Sequence, residues 1–114
     1  FRHRRSLSCL KKNENIEKAI NSYNQIGTIL NRQDKYDKAK AYLEKSLEIG
    51  RSANALDSLA IATTYITLGV TYSAENQFEK SLDYHNKALS IRLAKLGKNN
   101  ADVSTSYGNI GNVY

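Results

Sequence analysis

The chain has 114 residues, 40% of them hydrophobic, with no proline, six glycines and one cysteine. That length allows a single domain with a modest core, the shortage of turn formers argues against a sheet protein, and a lone thiol excludes an internal disulfide framework. The formal charge of +6 is concentrated at the start: residues 1–12 carry Arg2, Arg4, Arg5, Lys11 and Lys12 and no acid, which leaves the remainder at about +1 and weighs against a nucleic-acid face spread over the body of the protein.

Residues 1–12 read as a basic helix in which Cys9, between Leu7 and Leu10, is a small apolar core residue. No apolar segment follows the arginines as a signal peptide requires, and no run approaches the roughly 20 residues that span a bilayer. An intracellular, cytoplasmic protein without a membrane partner is the expectation. A second helix is predicted over 14–32, opened by Asn13 or Asn15, whose side-chain oxygens suit an N-cap. Its residues Tyr23, Ile26 and Leu30 step by three and four along one face. Gln33-Asp34 is a tight turn into a third helix over 35–51. Asn54 or Asp57 opens a fourth over 56–75, Asn76-Gln77 turns into a fifth over 78–96, Gly97 ends it in the left-handed conformation, and Asn99 or Asn100 opens a sixth over 101–114.

These elements repeat. Tyr23, Ile26, Gly27 and Leu30 recur as Tyr65, Leu68, Gly69 and Tyr72, and again as Tyr107, Ile110, Gly111 and Tyr114, at a step of 42 residues. The second half of the unit recurs at the same step: Tyr36, Ala39, Tyr42, Leu43, Ser46, Leu47 and Ile49 match Phe78, Ser81, Tyr84, His85, Ala88, Leu89 and Ile91. The repeating unit is therefore an antiparallel helix pair. Ser6 and Leu7 match Ser46 and Leu47 at a spacing of 40 residues, which makes 1–12 the second helix of a preceding unit. A glycine inside a helix costs about 1 kcal/mol relative to alanine. Its return at Gly27, Gly69 and Gly111 predicts that the backbone of a neighbouring helix comes in close there, where any side chain would hold it off.

An aromatic residue, a large aliphatic followed by glycine, a tyrosine, a second aromatic and then Ala-Leu, best seen from Tyr65 to Leu89, resembles the tetratricopeptide repeat. The 42-residue period and the segment from Ala88 to Gly97, leading to Asp102-Val103 and Asn109-Ile110-Gly111, is similar to the longer repeats of kinesin light chains and of many bacterial multi-repeat regulators. The resemblance implies an all-α, right-handed superhelical solenoid of antiparallel helix pairs, about six helices in one array: 1–12, a unit at 14–54, a unit at 56–98 and a further first helix at 101–114. Such an array reads as a piece of a longer one, in which cut ends favour self-association.

In such a superhelix the first helix of each pair lines the concave face. The residues turned away from the Tyr, Ile and Gly core are Asn21, Asn24, Gln25, Thr28, Asn31 and Arg32; then Thr63, Ile66, Thr67, Val70 and Ser73; then Thr105, Asn109 and Asn112. Most are uncharged hydrogen-bonding groups, and an amide that both donates and accepts can pair with the backbone of an extended peptide. Ile66 and Val70 would form a small pocket for an apolar anchor. With Arg32 the one cation among them, a clamp for a terminal carboxylate is not expected.

No catalytic constellation accompanies this face. Cys9, His3 and His85 lack a metal-binding spacing and no glycine-rich phosphate loop occurs. His85 shares the column of Leu43, which makes it a buried, hydrogen-bonded core residue. The sequence thus points to a protein-interaction scaffold that holds a peptide or partner helix, not to an enzyme, with no cofactor and no metal. A regulatory or sensory segment of a larger signalling protein is the alternative, and nucleic-acid binding through residues 2–12 a weaker one, since nucleic acid is not an expected partner.

Overall fold

The computed structural model describes residues 2–96, and side-chain surroundings from residue 14 onward. Among the described residues there are four helices and no strand: α1 (Arg2–Arg32), α2 (Tyr36–Ser52), α3 (Leu59–Ala74) and α4 (Phe78–Leu96). The expected sixth helix over 101–114, Gly97 and the candidate caps Asn99 and Asn100 lie outside them.

Two helix starts differ from the sequence reading. The expected break near residue 13 is absent and α1 runs unbroken through 31 residues. Asn13 and Asn15 suit a cap without forcing one, and no glycine or proline interrupts the chain before Gly27. α3 is likewise opened not by Asn54 or Asp57 but by Ser58, whose hydroxyl accepts the Ile61 N–H at 3.3 Å. Asn54 instead ends α2.

Three helices end in the same way. Asp34, Asn54 and Asn76 adopt φ of 60°, 54° and 64°, the left-handed region that Asn and Asp tolerate best among residues with a side chain. In each case the next N–H reaches back to a helical carbonyl: Lys35 to Leu30 at 2.9 Å, Ala55 to Gly50 at 2.7 Å and Gln77 to Tyr72 at 2.8 Å. The left-handed residues themselves donate to Asn31, Arg51 and Ser73 at 3.0–3.2 Å. Both bonds together form the Schellman ending, which satisfies carbonyls the helix leaves open.

α1 packs on α2 and α3 on α4, and α3 also meets α1 and α2, so two antiparallel pairs are stacked. The core is Ile20, Leu43, Leu47, Ala60, Ile61 and Leu68, drawn from α1, α2 and α3. α3 is the inner helix of the stack. It contains no charged residue, as suits a helix covered on several sides.

The glycines define how each pair closes. A Cβ on Gly27 would stand 2.7 Å from Leu43 Cδ2, and one on Gly69 would stand 2.7 Å from His85 Nε2. The approach at the glycines is close, but what enters is a side chain of the paired helix and not the expected helix backbone. Tyrosines seal the same joint, with ring centroids 6.1 Å apart for Tyr23 and Tyr42 and 5.9 Å for Tyr65 and Tyr84. A lysine caps each: Lys45 lies 5.0 Å over the Tyr42 ring and Lys87 5.2 Å over the Tyr84 ring.

Candidate peptide-binding face

The stacking of α3 on α1 decides which nominated residues remain available. Asn24 is only 3% exposed. Its Nδ2 donates to the Ala60 carbonyl at 3.0 Å, while its Oδ1 accepts the Thr64 hydroxyl at 2.6 Å. Two turns on, Asn31 repeats the pattern, donating to the Thr67 carbonyl at 3.5 Å and accepting from Thr71 at 2.8 Å. Each amide thus commits one N–H and one oxygen lone pair to the adjacent helix. Asn24 is withdrawn from any guest, which corrects the expectation that both asparagines belong to a free ladder.

The reason is legible in the geometry of two adjacent first helices. Asn24 and Asn31 sit on the side of α1 that faces the next unit, and Thr64 and Thr71 are wholly buried on the opposing side of α3. Threonine serves here because its hydroxyl bridges its own helix and its neighbour: Thr71 also lies 2.8 Å from the Thr67 carbonyl, and Thr64 lies 3.2 Å from that of Ala60. Thr67 is itself buried, its hydroxyl donating to Thr63 at 2.9 Å. Lys40 of α2 adds an ion pair to Glu75, just past α3, at 2.8 Å, which raises the lysine's pKa.

Most of the nominated residues that the structure describes gather on one surface between α1 and α3. Two hollows adjoin there and share Thr28 and Arg32. One of about 520 Å³ is lined by Asn21, Asn24, Gln25, Thr28, Ile29, Arg32 and Thr63. The other, of about 390 Å³, is lined by Thr28, Asn31, Arg32, Ile66, Thr67 and Val70. Asn21, Gln25, Arg32, Thr63 and Val70 are exposed, whereas Thr28, Asn31 and Ile66 are half-buried. Thr28 turns its hydroxyl back onto the Asn24 carbonyl at 2.9 Å. Ser73, half-buried, lines neither hollow. Thr105, Asn109 and Asn112 lie outside the described residues, as do the side chains of Arg2, Arg4, Arg5, Cys9 and the other residues before 14.

Ile29 was missed. It is 52% exposed and lines the larger hollow. The 42-residue step supplies the signal: its counterpart is Thr71, buried beneath the preceding pair, so residue 29 belongs to the stacking side of α1. Ile26, expected in the core, is 37% exposed for the same reason, since its counterpart Leu68 is wholly buried in the joint between the pairs.

His85 is 2% exposed, and its Nδ1 is buried without a hydrogen-bond partner, so it is buried as expected but not satisfied. Burial lowers its pKa from the ordinary value of 6.5. Among the described residues no three His, Cys, Asp or Glu side chains gather as a metal site would require, and no helix is long and apolar enough to cross a membrane.

Comparison with known proteins agrees with this architecture. The tetratricopeptide repeat profile matches residues 18–94. No curated protein matches the sequence. Among solved structures, the chain is similar to BtubC (BKLC) from P. vanneervenii, with 26% identity and a TM-score of 0.76 over 81% of this chain. The likeness spans 36% of that protein's length. Repeating helix pairs, a glycine that admits a side chain of the paired helix, and a family profile running from α1 into α4 lead to one assignment: the chain belongs to the tetratricopeptide repeat family.

Proposed function

We propose that this chain is a protein-interaction scaffold whose α1/α3 face holds a peptide or a partner helix. The observation that carries the reading is the pair of adjoining hollows, with Gln25, Thr28, Arg32, Thr63, Ile66 and Val70 around them. Apolar side chains bordered by the exposed amides of Asn21 and Gln25 suit recognition of a peptide, in which a few buried anchors supply most of the binding energy and polar groups fix orientation. Thr105, Asn109 and Asn112 occupy the columns of Thr63, Thr67 and Val70 at the 42-residue step and would continue the lining.

The test begins with peptides selected from a random display library on the full chain, which are then titrated into the isotope-labelled protein. Amide shifts clustered around Gln25, Arg32, Thr63 and Val70 are expected. Shifts confined to the outer helices α2 and α4 would refute the proposed face. Val70→Asp is expected to weaken binding at least tenfold, the effect of charging an anchor pocket, while the helical circular dichroism stays unchanged.

A further inference from the structure

Charge singles out one residue on this face. Arg32 borders both hollows, and no other residue lining either of them is charged. Its side chain is exposed at the last turn of α1, and none of the ion pairs of the described residues includes it. The amide of Asn31, one residue earlier, is already engaged by α3. Beside Arg32, the smaller hollow is bounded by Val70, 46% exposed, and by Ile66. An arginine in none of the ion pairs of the described residues thus stands next to an apolar recess whose other lining residues carry no charge.

Resting on the proposed α1/α3 binding face, we infer that the preferred guest is a peptide segment that seats an aliphatic side chain against Ile66 and Val70 and places an internal Asp or Glu side chain on Arg32. An aliphatic group fits because the recess has two branched aliphatic walls and the Thr67 hydroxyl is turned inward to the Thr63 carbonyl. A carboxylate fits because guanidinium presents planar paired donors that match its two oxygens. A lone arginine suffices for one acidic side chain beside the anchor.

The discriminating experiment selects capped random peptides, free of terminal charge, on the wild-type chain and on Arg32→Gln. Wild type is expected to enrich peptides with an aliphatic residue near an Asp or Glu, and Arg32→Gln to keep the aliphatic preference while losing the acidic one. For one enriched peptide, replacing the acid by its amide is expected to weaken binding about two- to fivefold to wild type, the range of an exposed ion pair, and not at all to Arg32→Gln. Failure to enrich any peptide would sink both the binding face and this inference. Enriched peptides without acid, or with an acid preference that survives in Arg32→Gln, would overturn the inference alone.

Discussion

In the first helix pair the space left open by Gly27 is filled by Leu43; in the second, 42 residues on, the space left by Gly69 is filled by the imidazole of His85. The approach is equally close in both, and both incoming side chains are almost fully buried. Leucine gains from burial at this position. Histidine gains from packing but carries Nδ1 into the interior without a partner, and an unsatisfied buried polar atom costs on the order of 1–3 kcal/mol. The fold therefore specifies a shape at this contact, and the two pairs meet it with different chemistry.

That comparison can be broken by truncation. Leu43→Ala should cost about 3 kcal/mol, within the range for large-to-small changes in a core, whereas His85→Ala should cost clearly less because the same change removes the unpaired nitrogen. Urea titrations of the two variants measure the difference, and equal losses would mean that the histidine packs as well as the leucine. Gly27→Ala and Gly69→Ala come next. Alanine has the better helix propensity by about 1 kcal/mol, yet its methyl would collide with Leu43 or with the His85 ring, so each variant should lose about 1–2 kcal/mol net. A stabilised Gly69→Ala protein would show that the ring yields.

His85→Leu sharpens the comparison by making the second pair like the first, and should gain about 1 kcal/mol at neutral pH. Acid should widen the gap. Burial holds the folded-state pKa of His85 below 6.5, so the unfolded chain takes up a proton that the folded chain refuses. Stability linked to this residue is whole above about 6.5 and falls as the pH drops from there toward the folded value. His85→Leu should lack that decline, as thermal melts at a series of pH values can establish. The smallest effect belongs to the outer surface: Lys87→Ala removes a cation from the Tyr65 and Tyr84 rings at a cost of about 0.5 kcal/mol.

Much of this was legible in the sequence because the repeat sets a frame in which one contact predicts another. Gly27 and Gly69 announced the close approach, and the paired tyrosines announced the helices that meet there. The turns at Asp34 and Asn76 were equally plain, since few residues other than glycine accept the left-handed ending. What periodicity could not separate were the two polar sides of a first helix. Asn24 and Gln25 are adjacent and similar in chemistry, and the sequence groups both on the outward face, yet one is buried against α3 and the other is exposed. Only the position of the neighbouring helix distinguishes them, and that is a property of the stack. The join at residue 13 was misread for a simpler reason: a residue that favours a helix start is also tolerated inside a helix when nothing forces the chain to stop.

The division of polar residues into those that bind the stack and those left for a guest is most directly tested by a double-mutant cycle. With Asn24→Ala and Thr64→Val, the loss of an amide–hydroxyl pair buried between α1 and α3 should appear as a coupling energy of about 1 kcal/mol in denaturant unfolding. The matching cycle on the open face, Gln25→Ala with Thr63→Val, should be additive within about 0.3 kcal/mol. Equal coupling in the two cycles, or an Asn24→Ala variant as stable as the parent, would contradict the account.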